Sequence, residues 1–216
     1  MQPIISIVGK SSSGKTTLLE GLIAELKQRG YKLAIIKHSG EDIELDTVNK
    51  DTWRFSQAGS EISAISTTHG VAVFKHLERD FSPQELSNFI SWDYDLILTE
   101  GFKKSSYPKI EVHRQEQGKD LVSKRGQLLA VVTDEPLEVD VPQFSSGQIQ
   151  EIADLIENKA LAQQKGDDVD LVVNGSSTSI GSSAKNLLAR TLIAIVSGLM
   201  GPGKIKRLRI SLRRMI

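Results

Sequence analysis

The stretch Gly-Lys-Ser-Ser-Ser-Gly-Lys-Thr at residues 9–16 follows directly on the apolar run Ile4–Val8. It matches the pattern G-x-x-x-x-G-K-[ST], in which a buried strand leads into a glycine-rich loop and the loop leads into a helix. Gly9 and Gly14 permit the tight turn that points successive backbone N–H groups at an anion, and the helix N-terminus adds partial positive charge. The amphipathic stretch Thr17–Lys27 supplies the helix. Residues 9–16, called the P-loop below, therefore predict a nucleoside triphosphate site.

Two side chains of the P-loop have predicted roles toward the phosphates. Lys15 can reach the β- and γ-phosphates and stabilise charge during catalysis, and the Thr16 hydroxyl can bind Mg²⁺. The three serines occupy positions that the pattern leaves free. We therefore expect nucleotide contacts from the whole loop and the first helical residues: Gly9, Lys10, Ser11, Ser12, Ser13, Gly14, Lys15, Thr16 and Thr17.

The composition favours no strongly charged partner. The 216 residues carry 27 Lys and Arg against 27 Asp and Glu, so no overall field attracts nucleic acid or an anionic membrane. There is no cysteine, which excludes disulfides and thiolate metal sites. The most apolar late stretch, Leu187–Met200, is interrupted by polar residues and is too short to span a membrane. With no visible signal peptide, these features predict a cytoplasmic protein that binds neither membrane nor nucleic acid.

Strands alternate with helices along residues 1–163, which predicts an α/β domain of the P-loop NTPase type. Its sheet should be mostly parallel and covered by helices on both faces. The strands are predicted at Ile4–Val8, Lys32–Lys37, Asp95–Thr99, Lys109–His113 and Leu128–Thr133, with a strand pair at Ile62–Ser66 and Val71–Phe74. The helices are predicted at Thr17–Lys27, Lys50–Ala58, Ser82–Ile90 and Gly147–Ala162.

A polar linker at residues 164–168 precedes a segment of different character at residues 169–216. The pattern there is a strand at Val169–Val173, an Asn-Gly turn, a helix at Ala184–Met200 and a basic strand at Ile205–Leu212. This predicts a small ββαβ module that is marginal alone and packs on the main domain or on another copy. Its basic strip is either a solvated face or a site for an anion or an acidic partner.

A carboxylate stands at each end of the predicted strand Asp95–Thr99. Because the P-loop lies at the carboxyl edge of a parallel sheet, Glu100 should face the nucleotide and Asp95 should not. We expect Glu100 to contact Mg²⁺ through water or to orient an attacking group, the alternative being a salt bridge to Lys15 or Lys103. Asp95 is expected to serve as a strand-end or capping residue.

The acidic loop after the second strand leaves that strand at the same edge. Asp42, Glu44 and Asp46 are candidates for a further magnesium contact, and Asp46 is the predicted ligand. Asp51 and Arg54 follow, with Arg54 available to neutralise phosphate charge. The alternative is a solvated loop in which Asp51 caps a helix.

The chain resembles the MobB family, the molybdopterin-guanine dinucleotide biosynthesis adaptors, over about residues 3–160. The resemblance rests on the P-loop, Ile36-Lys37-His38, Asp46 with Lys50–Arg54, Thr99-Glu100-Gly101-Phe102-Lys103, and Tyr107-Pro-Lys-Ile-Glu-Val-His-Arg114. It implies a homodimer that binds GTP and Mg²⁺ and hydrolyses GTP weakly. It also implies partnership with the MobA-type guanylyltransferase, which attaches GMP to molybdopterin, and with other molybdopterin-handling proteins.

Some features depart from or add to the family pattern. The His-rich stretch common after the second strand is reduced here to His38, and no N-K-x-D guanine motif follows a strand. Asp134 follows a predicted strand at the carboxyl edge of the sheet, where the P-loop also lies. It is therefore the candidate acceptor for the guanine N1 and N2 groups. Lys10 lies five residues before Lys15, so it either reaches a partner subunit's nucleotide or is an exposed loop lysine.

Two other residues and two other functions stay open. Glu111 and His113 share one strand face, so they either meet a pterin or partner surface or belong to an ordinary paired surface strand. A small-molecule kinase would need an arginine-rich lid, and no such segment is visible. A structural module whose nucleotide stabilises a dimer is the other alternative.

Overall fold

Short apolar runs of the chain assemble into one six-stranded sheet in the computed structural model. The structure describes residues 3–40, 43–90, 94–118, 120–162, 169, 171–173, 176–178, 180–201 and 208. The strand order is β2-β5-β1-β6-β7-β8, and each neighbouring pair is parallel. The strands are β1 (Ile4–Gly9), β2 (Leu33–Lys37), β5 (Leu96–Glu100), β6 (Lys109–Val112), β7 (Leu128–Val132) and β8 (Gln143–Phe144). The prediction of a mostly parallel sheet is confirmed.

Helices cover both faces of this sheet, as predicted. On one face, α1 (Lys15–Gln28) and α4 (Ile149–Ile156) pack buried leucine and isoleucine side chains against Ile5 and Ile7 of β1. On the other face, Leu86 and Ile90 of α3 (Pro83–Ile90) pack against Ile4 and Ile97. Successive residues of β1 thus serve opposite faces, as the two-residue period of a strand requires. The two cores fix β1 at the centre of the sheet, and with it the P-loop.

A separate antiparallel hairpin stands beside this core. It comprises β3 (Ile62–Ser66) and β4 (Val71–Lys75) and follows the short helix α2 (Asp51–Gln57). Helix α3 begins with a capping box, in which the Ser82 amide and hydroxyl both donate to Glu85 Oε2, at 2.9 and 2.8 Å.

The last predicted helix of the main domain is shorter than expected. Its α-helical part, α4, ends at Ile156, and a π-helical turn continues it over Glu157–Leu161. Arg29, just after α1, donates to Asp154 and Glu157 at 2.6 Å each. These bonds link the end of α1 to the point where α4 becomes π-helical.

The chain divides into two compact units between Leu161 and Ala162. The second unit contains the antiparallel pair β9 (Leu171–Val173) and β10 (Ser176–Thr178), followed by α5 (Ser182–Met200). The predicted linker, the Asn174-Gly175 turn and, except for Leu208, the predicted strand Ile205–Leu212 with all its basic residues lie outside the described residues. Within the described ranges no helix is long and apolar enough to cross a membrane.

Candidate functional site

The P-loop leaves β1 through a glycine that nothing larger could replace. A Cβ atom built on Gly9 would lie 2.3 Å from the carbonyl oxygen of Val112 on the neighbouring strand β6. Gly14, directly before α1, has φ 93°, in the left-handed region that favours glycine. Both glycines of the motif are therefore required by the local geometry, which curls the loop over the N-terminus of α1.

A cavity of about 350 Å³ opens where the loop meets the carboxyl edge of the sheet. Its lining brings Glu100 of β5 together with seven consecutive residues of the predicted nucleotide site, Ser11–Thr17. The helix N-terminus there presents backbone N–H groups that lack intrahelical partners. Gly9 and Lys10 lie outside the lining, although both belong to the predicted set. The arrangement suits a phosphate chain.

Lys15 provides the cation of this cavity. Its ammonium donates to the Lys10 carbonyl oxygen at 2.6 Å. Burial lowers the pKa of Lys15 below its usual value of 10.5, Glu100 acts in the opposite direction, and Lys103 and Lys37 add to the lowering. A bound phosphate would offset the cost of keeping this lysine charged.

Glu100 lies opposite the P-loop because β5 is the parallel neighbour of β1, with Glu100 in register with Ile7. The Thr16 hydroxyl donates to Glu100 Oε2 at 3.1 Å, and Lys37 Nζ lies 3.6 Å from Oε1. The ion pair is thus with Lys37, and not with the Lys15 or Lys103 that the alternative reading named. At the other end of the strand, Asp95 accepts the Lys32 amide at 2.8 Å, in line with its expected capping role.

The pair of Thr16 and Glu100 fits a hard cation. A hydroxyl and a carboxylate are oxygen ligands of the kind that Mg²⁺ prefers, and Mg²⁺ commonly takes its remaining ligands from substrate phosphates and water. In the described part of the chain, no group of three or more His, Cys, Asp or Glu residues could hold a metal by itself. A magnesium ion at this site would therefore need the phosphates of the nucleotide.

The structure does not bring Asp46 to this cavity. One of its oxygens accepts the Thr47 amide at 2.8 Å and the Thr52 hydroxyl at 3.0 Å, which ties the loop to α2. Its other oxygen is buried without a hydrogen-bond partner. Asp51 and Arg54 are exposed and lie 3.9 Å apart, while Asp42 lies outside the described residues.

The turn after β6 contacts the P-loop, which the sequence did not predict. Arg114 Nε donates to the Ser13 carbonyl oxygen at 3.1 Å, and Gln117 Nε2 donates to the Ser11 carbonyl oxygen at 2.7 Å. Lys10 Nζ in turn donates to the Gln117 carbonyl oxygen at 2.5 Å. The available signal was the position of Arg114 at the carboxyl end of a strand, but the sequence does not give the strand order.

Asp134 lies next to this turn. Its Oδ1 accepts the Gln115 amide at 2.9 Å, and its Oδ2 lies 3.9 Å from an Arg114 nitrogen. The hydrogen bond from the Gln115 amide holds the pKa of Asp134 below its usual value. Asp134 is therefore an ionised, half-exposed acceptor at the end of β7.

Glu111 and His113 are buried. Both expectations for them, a pterin or partner surface and an ordinary surface strand, were therefore wrong. Glu111 lies in β6 and His113 directly follows it, β6 lies between β1 and β7, and the two residues are 2% and 3% exposed. Glu111 accepts the amides of Val122 and Ser123, and His113 Nε2 lies 3.0 Å from Glu135 Oε1. Both side chains hold neighbouring loops in place.

His38 is partnered at the same edge of the sheet. Its Nε2 lies 2.8 Å from Asp80 Oδ2, and its ring stacks at 4.4 Å on Phe102. It is not among the residues that line the cavity.

Fold and site together define a parallel α/β protein of the P-loop NTPase class. The family model described as "Molybdopterin guanine dinucleotide synthesis protein B" matches residues 4–134. The chain therefore belongs to the MobB family.

Individual relatives agree. The molybdopterin-guanine dinucleotide biosynthesis adapter protein of Haemophilus influenzae is 40% identical over 160 residues, covering 72% of this chain and 88% of that protein. The Escherichia coli adapter protein is 32% identical over 162 residues, covering 72% and 92%. Among solved structures, Bacillus subtilis MobB matches with a TM-score of 0.59 at 26% identity, covering 73% of this chain and 98% of that one.

Proposed function

We propose that this chain is a GTP-binding adapter of molybdopterin-guanine dinucleotide synthesis. The observation that carries the proposal is the cavity that combines Lys15 and Thr16 of the P-loop with Glu100 of β5. Membership of the MobB family supplies the pathway, since the relatives from Haemophilus influenzae and Escherichia coli bear that adapter name. A MobA-type guanylyltransferase is the expected partner.

The phosphates are held by the backbone amides of the P-loop and by the Lys15 ammonium. When Mg²⁺ is bound, it neutralises phosphate charge, with the Thr16 hydroxyl and Glu100 at its site. Asp46 could become a ligand of this Mg²⁺ only if its loop moved, because its contacts in the structure are with Thr47 and Thr52.

Hydrolysis at this site should be slow. Glu100 is the one carboxylate in the described cavity lining, and it already accepts the Thr16 hydroxyl. Phosphoryl transfer depends mainly on positioning and charge stabilisation, which Lys15 supplies. A lining without a histidine and with a single engaged carboxylate offers little to activate water. Weak GTPase activity is therefore proposed beside the adapter role.

Asp134 is the proposed reader of guanine. An ionised carboxylate is a pure acceptor, and guanine presents N1 and N2 donors where adenine does not present this pair. The bond from the Gln115 amide leaves acceptor capacity on both oxygens. This supports a preference for GTP over ATP.

The β3–β4 hairpin is the proposed dimer surface. Ile62, Val71 and Val73 share one face of the hairpin and are 45 to 66% exposed, although they belong to strands. Among the described strands, β3 and β4 pair with each other alone, so both outer edges stay open. A two-stranded ribbon is marginal by itself, and a second copy related by a two-fold axis presents the same apolar strands in return.

The proposal is tested by Lys15→Ala in a reaction reconstituted from molybdopterin, GTP, Mg²⁺ and a MobA-type guanylyltransferase. The wild-type chain should increase dinucleotide formation, and the variant should lose this stimulation. Its GTP affinity should fall roughly 10- to 100-fold, the cost of a charge-assisted phosphate contact.

Lys27→Ala is the matched control, because Lys27 is an exposed lysine in the last turn of the same helix. It should stimulate like the wild type. Stimulation by Lys15→Ala at the wild-type level would contradict a nucleotide-dependent role and favour the structural dimer module.

A further inference from the structure

The P-loop is bound from outside by one short turn. This strap (residues 114–117) contains Arg114 and the 3-10 turn Gln115–Gln117. Its side chains donate to two carbonyl oxygens of the loop, those of Ser13 and Ser11. These bonds link positions 101 and 106 residues apart in the sequence. The strap residues themselves are not part of the cavity lining.

The orientation of those carbonyl groups determines where the amides point. In a planar trans peptide the C=O and N–H bonds are antiparallel. Holding the Ser11 and Ser13 carbonyls toward the strap therefore directs the following amides, those of Ser12 and Gly14, away from it. Anion-binding loops of this kind depend on successive amides that converge on the ligand.

The residue between the two bound carbonyls is strained. Ser12 has φ 56°, a left-handed conformation that a non-glycine residue rarely adopts. Such a conformation persists only where the surroundings hold it in place. The two strap bonds lie on either side of Ser12 and provide that restraint.

The strap is itself fixed at both ends. Asp134 at the end of β7 accepts the Gln115 amide at 2.9 Å. The Gln117 carbonyl oxygen accepts Lys10 Nζ, which closes the connection back to the P-loop. A chain of hydrogen bonds therefore runs from the proposed guanine reader to the phosphate loop.

We propose that Arg114 and Gln117 are positioning residues, which hold the P-loop amides in the arrangement that binds phosphate. This inference rests on the proposed function, because it concerns the same nucleotide site. It assigns neither residue a contact with the nucleotide. Removal of the Gln117 donor should weaken every phosphate ligand by the same factor and leave the choice of base unchanged, whereas Arg114 also lies 3.9 Å from Asp134 Oδ2.

The test compares Gln117→Met and Arg114→Met with Gln115→Met, all in the full-length chain. Gln117→Met removes a neutral donor at nearly constant size, so a loss of affinity cannot arise from charge. Gln115→Met changes the same side chain two positions earlier in the strap and keeps the backbone bond to Asp134. Binding of inorganic pyrophosphate, GTP and ATP with Mg²⁺ is measured by calorimetry, beside the thermal midpoint of each variant.

Gln117→Met should weaken pyrophosphate and GTP alike by roughly 2- to 10-fold, the range for one neutral hydrogen bond. Arg114→Met should weaken both by roughly 10- to 100-fold, since its donor is charged. In Gln117→Met the ratio of GTP to ATP affinity should not change, and Gln115→Met should bind like the wild type. Amide hydrogen exchange in the nucleotide-free chain should be faster over the P-loop in Gln117→Met and unchanged in β7.

Wild-type affinities and wild-type P-loop exchange in Gln117→Met would overturn the inference, and this variant decides the matter if Arg114→Met fails to fold. A wild-type chain that binds pyrophosphate but shows no preference for GTP contradicts the GTP proposal and leaves the strap supported by the variants. Equal GTP affinity in the wild type and in all three variants would refute the positioning role of the strap and leave the GTP proposal intact. Failure of the wild type to bind any of these ligands refutes both.

Discussion

The two ends of β5 carry carboxylates with different surroundings. Glu100, at the carboxyl end, is 13% exposed and is engaged by the Thr16 hydroxyl and Lys37. Asp95, at the other end, accepts the Lys32 amide. The end of the strand at which a carboxylate lies therefore decides whether it faces the P-loop, at the carboxyl edge of the sheet, or lies at the opposite edge.

Replacing Glu100 by Gln should reduce the effect of Mg²⁺ on GTP affinity roughly 10-fold, because a charged ligand becomes neutral at constant size. Titrating GTP with and without Mg²⁺ measures this effect. Since Glu100 raises the pKa of Lys15, the variant should also lose GTP affinity at a lower alkaline pH than the wild type.

Asp95→Asn is the control on the same strand. It should leave the Mg²⁺ effect intact and cost less than about 1 kcal/mol of stability, since Asn can still accept the amide. An unchanged Mg²⁺ effect in Glu100→Gln would remove Glu100 from the metal site.

At the scale of elements, the β3–β4 hairpin differs from the main sheet. The strands of the main sheet are covered by helices, whereas the hairpin leaves apolar side chains exposed on both strands. An uncovered two-stranded ribbon with open edges requires a partner or some protection of its edges. This is why the proposed dimer contact is placed at this hairpin.

Val73→Lys should shift the chain from dimer to monomer, because it puts a charge in the apolar face of the hairpin. Sedimentation velocity over a range of protein concentrations measures the shift. Thr68→Lys, in the turn that joins β3 and β4, adds the same charge to an exposed position and should leave the dimer intact. A Val73→Lys chain that dimerises like the wild type would place the interface elsewhere.

At the scale of the whole molecule, the parallel sheet gathers separate segments at one edge. Lys15, Glu100, Arg114 and Asp134 follow or end four different strands, and the order β5-β1-β6-β7 places those strand ends side by side. The site is thus a property of the sheet topology. The second unit, from Ala162 onward, supplies none of these residues.

This arrangement explains how much of the site could be predicted from sequence. The P-loop is contiguous, and Glu100 ends a strand that must leave at the same edge, so both were accessible to pattern and topology rules. The strand order was not, and without it Arg114 and Gln117 cannot be placed beside the P-loop. Periodicity also placed Glu111 and His113 on one face but could not show that β6 is central.

The burial of a charged side chain could not be predicted from the sequence either. Lys109 is fully buried, and its ammonium donates to Ser105 O, Tyr107 O and Gln127 Oε1. Burial lowers the pKa of Lys109. Two of these oxygens belong to the loop before β6 and the third to the 3-10 turn before β7, and only the folded chain defines their positions. A lysine predicted for a strand therefore gave no indication of being part of the core.

We propose that the P-loop cavity binds the phosphates of GTP together with Mg²⁺ and that Asp134, beside the P-loop, reads the base. Calorimetric titration of the wild-type chain and of Asp134→Asn with GTP and with ATP, in Mg²⁺, tests it most directly. The wild type should bind GTP more tightly than ATP, and Asp134→Asn should keep nucleotide binding but lose most of this preference. Equal affinity of the wild type for GTP and ATP, or an unchanged preference in Asp134→Asn, would contradict it.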